Sequence, residues 1–98
     1  MTTAFVTSLE AGPVNLDGMD KSDLYVFITA TRNLRRAAKR MFPNQKLGVL
    51  QVIRDLNNYA WTKTMAMECR ESGDCRRAGS YEGICERIYN SLPVYARW

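Results

Sequence analysis

Residues 44–93 read NQKLGVLQVIRDLNNYAWTKTMAMECRESGDCRRAGSYEGICERIYNSLP, and the punctuation of this stretch sets out two helices. Asn44, directly after Pro43, suits the cap of a helix reaching about Ser72, and Gly73 suits the left-handed residue that closes one. Asp74 follows at once and can accept free amides of the next helix, which runs to about Leu92 before Pro93 stops it. The expected spans are 45–72 and 75–92. A connection as short as Gly-Asp forces its two helices to lie side by side, so the pair is an antiparallel hairpin.

Periodicity supports both spans. In the longer one, Val49, Val52, Ile53, Leu56, Ala60 and Met67 form the main apolar stripe. Leu47, Leu50, Trp61 and Met65 gather about a third of a turn or more away, and Gln51, Asp55, Asn58 and Thr62 hold the polar side. A helix apolar on two sides is expected to be central, either sandwiched between neighbours or shared with a second subunit. In the shorter span Ala78, Tyr81, Ile84, Cys85, Ile88, Tyr89 and Leu92 make one face.

Upstream, Asp20 or Ser22 can cap a first helix over about 21–42, with Leu24, Phe27, Thr31, Leu34, Ala38 and Met41 on one stripe and Pro43 ending the run. This helix is expected to pack across the hairpin. Residues 1–20, with Gly12, Pro13 and Gly18 and no sustained period, read as an irregular N-terminal arm that lends a few side chains to the body. The tail from Val94 to Trp98 is expected to fold back on the hairpin. The fold class is all-α: one helical domain over 21–98 with three main helices.

Composition narrows the chemistry. The chain has 98 residues, 14 Lys and Arg against 10 Asp and Glu, and no histidine. That length fits one small domain, and the missing imidazole removes the usual neutral-pH proton shuttle and the commonest metal ligand. Cys69, Cys75 and Cys85 are odd in number and lack a C-x-x-C pair, which argues against zinc. They read as small buried hydrophobes in a reducing, cytoplasmic setting. The first ten residues do not have the pattern of a signal peptide, and no window approaches the roughly 18 apolar residues of a membrane span. No base stands ready for a Cys or Ser nucleophile, and no phosphate loop is present. The expectation is a non-enzymatic protein needing neither cofactor nor metal and engaging no membrane.

The most informative feature is the run Arg32, Arg35, Arg36, Lys39, Arg40, continued by Lys46. On a helix the first five occupy an arc of about 140° beside the apolar stripe. Residues 24–54 hold seven cations and no acid, leaving seven cations against ten anions elsewhere. Two readings are open: a surface for phosphates or acidic groups, or cations gathered where a helix C-terminus favours them. Groove readers interleave Asn, Gln or Ser with arginine, and here only Asn33 qualifies, so sequence-specific DNA reading is not supported.

Gly79 and Gly83 lie one turn apart opposite the apolar face of the third helix. They suit the close approach of another backbone, or simple tolerance on an exposed face. Tyr81, Tyr89, Tyr95, Trp98 and Trp61 form an aromatic group, with Tyr95 and Trp98 the candidates for partner contact. Such residues stack bases, anchor interfaces or fill core.

From Asn57 to Pro93, Ala66, Gly73-Asp74, Ala78 and Tyr81-Glu82 resemble one helical hairpin of the tetratricopeptide type, present as a single copy. The chain as a whole, with its short arm, cationic helix and Leu92-Pro-Val-Tyr-Ala-Arg-Trp98 ending, resembles small helical accessory proteins of phages and prophages. That resemblance implies a binding protein that blocks or modulates a macromolecular partner, such as a host defence complex or another protein–nucleic acid assembly. The alternatives are an oligomer sequestering an anionic nucleotide and a non-specific nucleic-acid binder. The two-sided central helix suggests a homodimer or higher oligomer.

Overall fold

The computed structural model describes residues 13–45 and 48–98. They form three helices, α1 (Lys21–Met41), α2 (Gly48–Glu71) and α3 (Cys75–Ser91), with short 3-10 turns at Leu16–Gly18 and Val94–Ala96. The all-α class and the α2–α3 hairpin are as expected. Residues 1–12 of the expected arm, together with Lys46 and Leu47, lie outside the described residues.

Local chemistry explains the boundaries. The Asp20 side chain accepts from the Asp23 amide at 2.8 Å and caps α1. Between α2 and α3, Gly73 takes φ +85°. The Asp74 amide donates to the Cys69 carbonyl at 2.8 Å and the Gly73 amide to Arg70 at 3.1 Å, a doubly bonded close that satisfies the last carbonyls of α2. Asp74 then accepts from the Arg77 amide at 3.1 Å and starts α3. Asn44 does not act as the expected cap: it sits inside a turn closed by the Gln45 amide on Phe42, and α2 is helical from Gly48.

The middle helix is α2. Along one side of it lies α1 and along another α3, and α1 does not pack across the hairpin as expected. Lys21 pairs with Glu71, Tyr25 donates to Glu68, and Asn57 donates to the Ile28 carbonyl at 3.0 Å and to Thr31 Oγ1 at 2.8 Å. These contacts make α1 antiparallel to α2. The Thr31 hydroxyl is fully buried and also lies 2.8 Å from the Phe27 carbonyl, so the Asn57 tie satisfies every polar atom there and pins the register.

The core has one centre. Val14 and Leu16 from the lead-in, Leu24, Phe27 and Ile28 from α1, Leu56, Tyr59 and Ala60 from α2, Cys85 and Leu92 around α3, and Ala96 from the tail bury together. Only the first half of the stripe expected on α1 joins it. Leu34 is 42% exposed and Met41 70%, because α3 pairs with α2 through Arg70–Glu82 and Cys85–Tyr59 and no described residue forms a third layer over the far half of α1. From Arg32 to Asp55 no described residue is buried. The molecule is therefore elongated, 44 × 25 × 24 Å, with α1 and α2 continuing as a pair beyond the core.

Asp17 binds the ends of the chain to the body. One carboxylate oxygen accepts from Tyr59 at 2.7 Å and meets the Lys63 ammonium at 3.0 Å, and the other accepts the Trp98 indole N–H at 2.8 Å. Burial alone would raise this carboxyl; the hydrogen bonds from Tyr59, Trp98 and Lys63 outweigh it and hold the group below its ordinary value. Tyr59, buried and donating to Asp17, is pushed upward. The tail folds back as expected, and the Arg97 guanidinium donates to the carbonyls of Leu92 and Asn90, covering the end of α3.

Candidate functional site

The expected cationic residues fall on the coreless end. Arg32, Arg36, Lys39 and Arg40 are exposed and Arg35 is half-buried, all on the last turns of α1. Across the helix boundary Arg54 of α2 joins them. Arg35, Lys39, Arg54 and Gln51 line one shallow concavity of about 440 Å³. Asn33, Arg36, Lys39 and Arg40 line another of about 550 Å³. Lys39 is shared, so the two are adjoining parts of one surface. Lys46, the sixth expected contact, lies outside the described residues.

Pairing separates this end from the rest. Lys21 meets Glu71, Lys63 meets Asp17, Arg70 meets Glu82 and Arg77 meets Asp74, all on the core side. Among the described residues, the side chains of Arg32, Arg35, Arg36, Lys39, Arg40 and Arg54 form neither an ion pair nor a hydrogen bond. Asp55, the nearest acid in sequence, accepts the Gln51 amide at 3.1 Å. Six cations without internal anions leave a positive field over the end of the pair, which draws anions and speeds their encounter. Capping needs no more than the last turn of α1, so a helix C-terminus does not account for Arg54 or Arg32.

The aromatic group divides differently from the expectation. Tyr95 is 68% exposed and stands free of the core, as a contact residue would. Trp98 does not: its ring is held edge-on by Tyr59 and Tyr89, each 4.8 Å away between centroids, and its N–H is used by Asp17. It is part of the body, because the tail returns it to the α2–α3 groove. The exposed tryptophan is Trp61, 49% accessible and edge-to-face with Tyr25 at 6.4 Å. Tyr25 lies outside the aromatic group expected from the sequence, in which Trp61 stands with the tyrosines of α3 and the tail. The usable signal was spacing, since Trp61 lies seven residues from Arg54, and Tyr25 seven from Arg32, so each aromatic shares a face with a cation.

Gly79 and Gly83 are exposed, and a Cβ added at either would meet open space. Of the cysteines expected to be buried, only Cys85 is; Cys69 is half-buried and Cys75 exposed, because Cys75 opens α3 at the solvent side of the turn. Burial pushes the Cys85 thiol up to about 11, which keeps it unreactive. A cleft of about 460 Å³ lies between α2 and α3. Four of its five charged side chains answer one another, Arg70 with Glu82 and Lys63 with Asp17, and only Glu86 forms no ion pair among the described residues, so it offers less to an anionic ligand than the cationic end does. Among the described residues no group of three or more His, Cys, Asp or Glu is placed to hold a metal ion, and no helix is long and apolar enough to cross a membrane.

Compared with family models, with curated proteins and with solved structures, the chain matches none.

Proposed function

We propose that this protein is a non-enzymatic binding protein whose cationic α1–α2 end docks on an anionic macromolecular partner and blocks or modulates it. The observation that carries the reading is the set of six cations that form no ion pair among the described residues, on the end of the helix pair where no described residue is buried. Among the described residues these six side chains are neither ion-paired nor fully buried, so they are free to meet something outside the chain. The mechanism is occupancy, with charge steering the encounter and bulk excluding competitors, and no bond is made or broken. As a phage or mobile-element accessory protein, its partner would be a host complex.

The test is affinity capture from lysate with the wild-type chain and with the double variant Arg36→Glu/Arg40→Glu, helicity being checked by circular dichroism. Both side chains are exposed and neither is tied by an ion pair, so the fold should survive the change. The partner is expected to be retained by the wild type, released by salt and lost from the variant. Undiminished retention of every captured partner by the variant would remove the cationic end from the function.

A further inference from the structure

We infer that the partner of this end is a single-stranded nucleic acid, whose bases stack on Tyr25 and Trp61 while its phosphates follow Arg32, Arg36, Lys39, Arg40 and Arg54; the inference rests on the docking role proposed above. On α1, Tyr25, Arg32, Arg36 and Arg40 fall within an arc of about 80°, and Lys39 stands at its edge toward α2. On α2, Trp61 and Arg54 lie about 20° apart. The two lines belong to one face, because Tyr25 and Trp61 meet across the helix boundary at one end and Arg35, Lys39 and Arg54 share a concavity at the other. The face runs roughly 22 Å along α1 from Tyr25 to Arg40.

Its chemistry selects the occupant. Beside the rings and cations stand the polar Thr29 and Asn33 on α1 and Gln51 and Asn58 on α2, with the half-buried Leu50 and Met65 along the α2 line. Of the exposed aliphatics of α1, Leu34 and Met41 lie about 160–180° from Tyr25 and Val26 about 100°, outside the arc of the cations. On this face the apolar Leu50, with Phe42 and Pro43, lines only the Arg54 concavity, whereas a strand with a π-face on each base and a charge on each link matches rings at one end and guanidinium groups at the other. A duplex keeps its bases stacked on one another, so it could use the cations but not the rings. Polarity also follows. Glu68 accepts from Tyr25 and Glu71 holds Lys21 beyond the aromatic pair, so the phosphates run from the rings toward Arg40 and not the opposite way.

The experiment is fluorescence anisotropy of labelled dT20 and rU20 with the full chain, competed by a 20-bp duplex and by heparin as a polyanion without bases. Wild type, Trp61→Ala, Tyr25→Ala and Arg36→Glu/Arg40→Glu are compared. Both aromatics are near half exposed, 44% for Tyr25 and 49% for Trp61, so their truncation should leave the fold intact by circular dichroism. Trp61→Ala is expected to weaken dT20 or rU20 binding about 5- to 100-fold and leave heparin binding unchanged, as loss of one stacked base requires. Trp61 emission should be quenched on binding. With those five cations engaged, log K should fall with log salt at a slope of about −3.5. If Trp61→Ala and Tyr25→Ala bind dT20 and heparin like the wild type while charge reversal abolishes both, the nucleic-acid assignment is wrong and the docking role stands. The assignment fails in the same way if the wild type ignores both single strands yet captures a protein partner that charge reversal releases. Binding indifferent to charge reversal everywhere overturns both.

Discussion

Asp17→Asn is the sharpest test of how the chain ends are held. The carboxylate takes three donors: Tyr59 at 2.7 Å, Trp98 at 2.8 Å and Lys63 at 3.0 Å. Asparagine keeps one acceptor for Tyr59 but turns an amide N–H toward the Trp98 N–H, and it removes the charge. Losing the Trp98 bond costs about 1 kcal/mol, and losing charge assistance at Tyr59 about 0.5–1 kcal/mol. The Lys63 pair adds at most about 1 kcal/mol, discounted because 49% of the Asp17 side chain stands in water. The sum is about 2 kcal/mol, a fall in Tm of roughly 8–16 °C for a domain of this size. Because the folded carboxyl titrates below its unfolded value, its contribution is complete above the unfolded pKa of about 3.9 and disappears as pH falls through the folded one. Urea melts followed by circular dichroism should therefore show a constant gap between wild type and variant from pH 7 to about 5, closing below pH 4. A gap under about 0.5 kcal/mol at pH 7, or one that persists undiminished in acid, refutes the reasoning.

Gly79→Ala and Gly83→Ala add a Cβ into open space within α3, so each should stabilise the monomer by about 0.5–1 kcal/mol in a denaturant melt; a loss of stability would show that another backbone covers this face. Maleimide labelling at pH 8 with mass mapping should modify Cys75 promptly and Cys85 only once denaturant unfolds the chain, and equal rates would contradict its burial and raised pKa. In hydrogen exchange, amides of residues 34–41 should open well before those of Leu56–Thr64, because no described residue from 32 to 55 is buried; equal protection of the two segments would count against a coreless end.

Much of the fold was legible because it depends on residues adjacent in sequence. Asp20, Gly73 and Asp74 act on amides and carbonyls within a few positions of themselves, and all three do as their types suggest. Asn44 misled because a good cap residue also suits a turn, and the choice between them lies with surrounding structure. The stripe on α1 was right in phase and wrong in extent: a period shows which side faces inward, not whether anything is there to cover it. The cationic run was visible as text. Arg54, Tyr25 and the exposure of Trp61 were not assembled with it, since they meet only when α1 and α2 lie antiparallel.

By itself the sequence determined three helices, the hairpin turn and a stretch of cations free of acids, because caps, breakers and helical periodicity are local matters. Tertiary structure decided which apolar surface is buried and which tryptophan is free. Trp98, at the chain end, is taken into the body by Asp17, Tyr59 and Tyr89, whereas Trp61, in the middle of the central helix, stays half in water beside Tyr25. The physical reason is coverage. The lead-in, α3 and the tail cover the core half of α2, no described residue from 32 to 55 is buried, and the cations gathered there form no ion pair among the described residues.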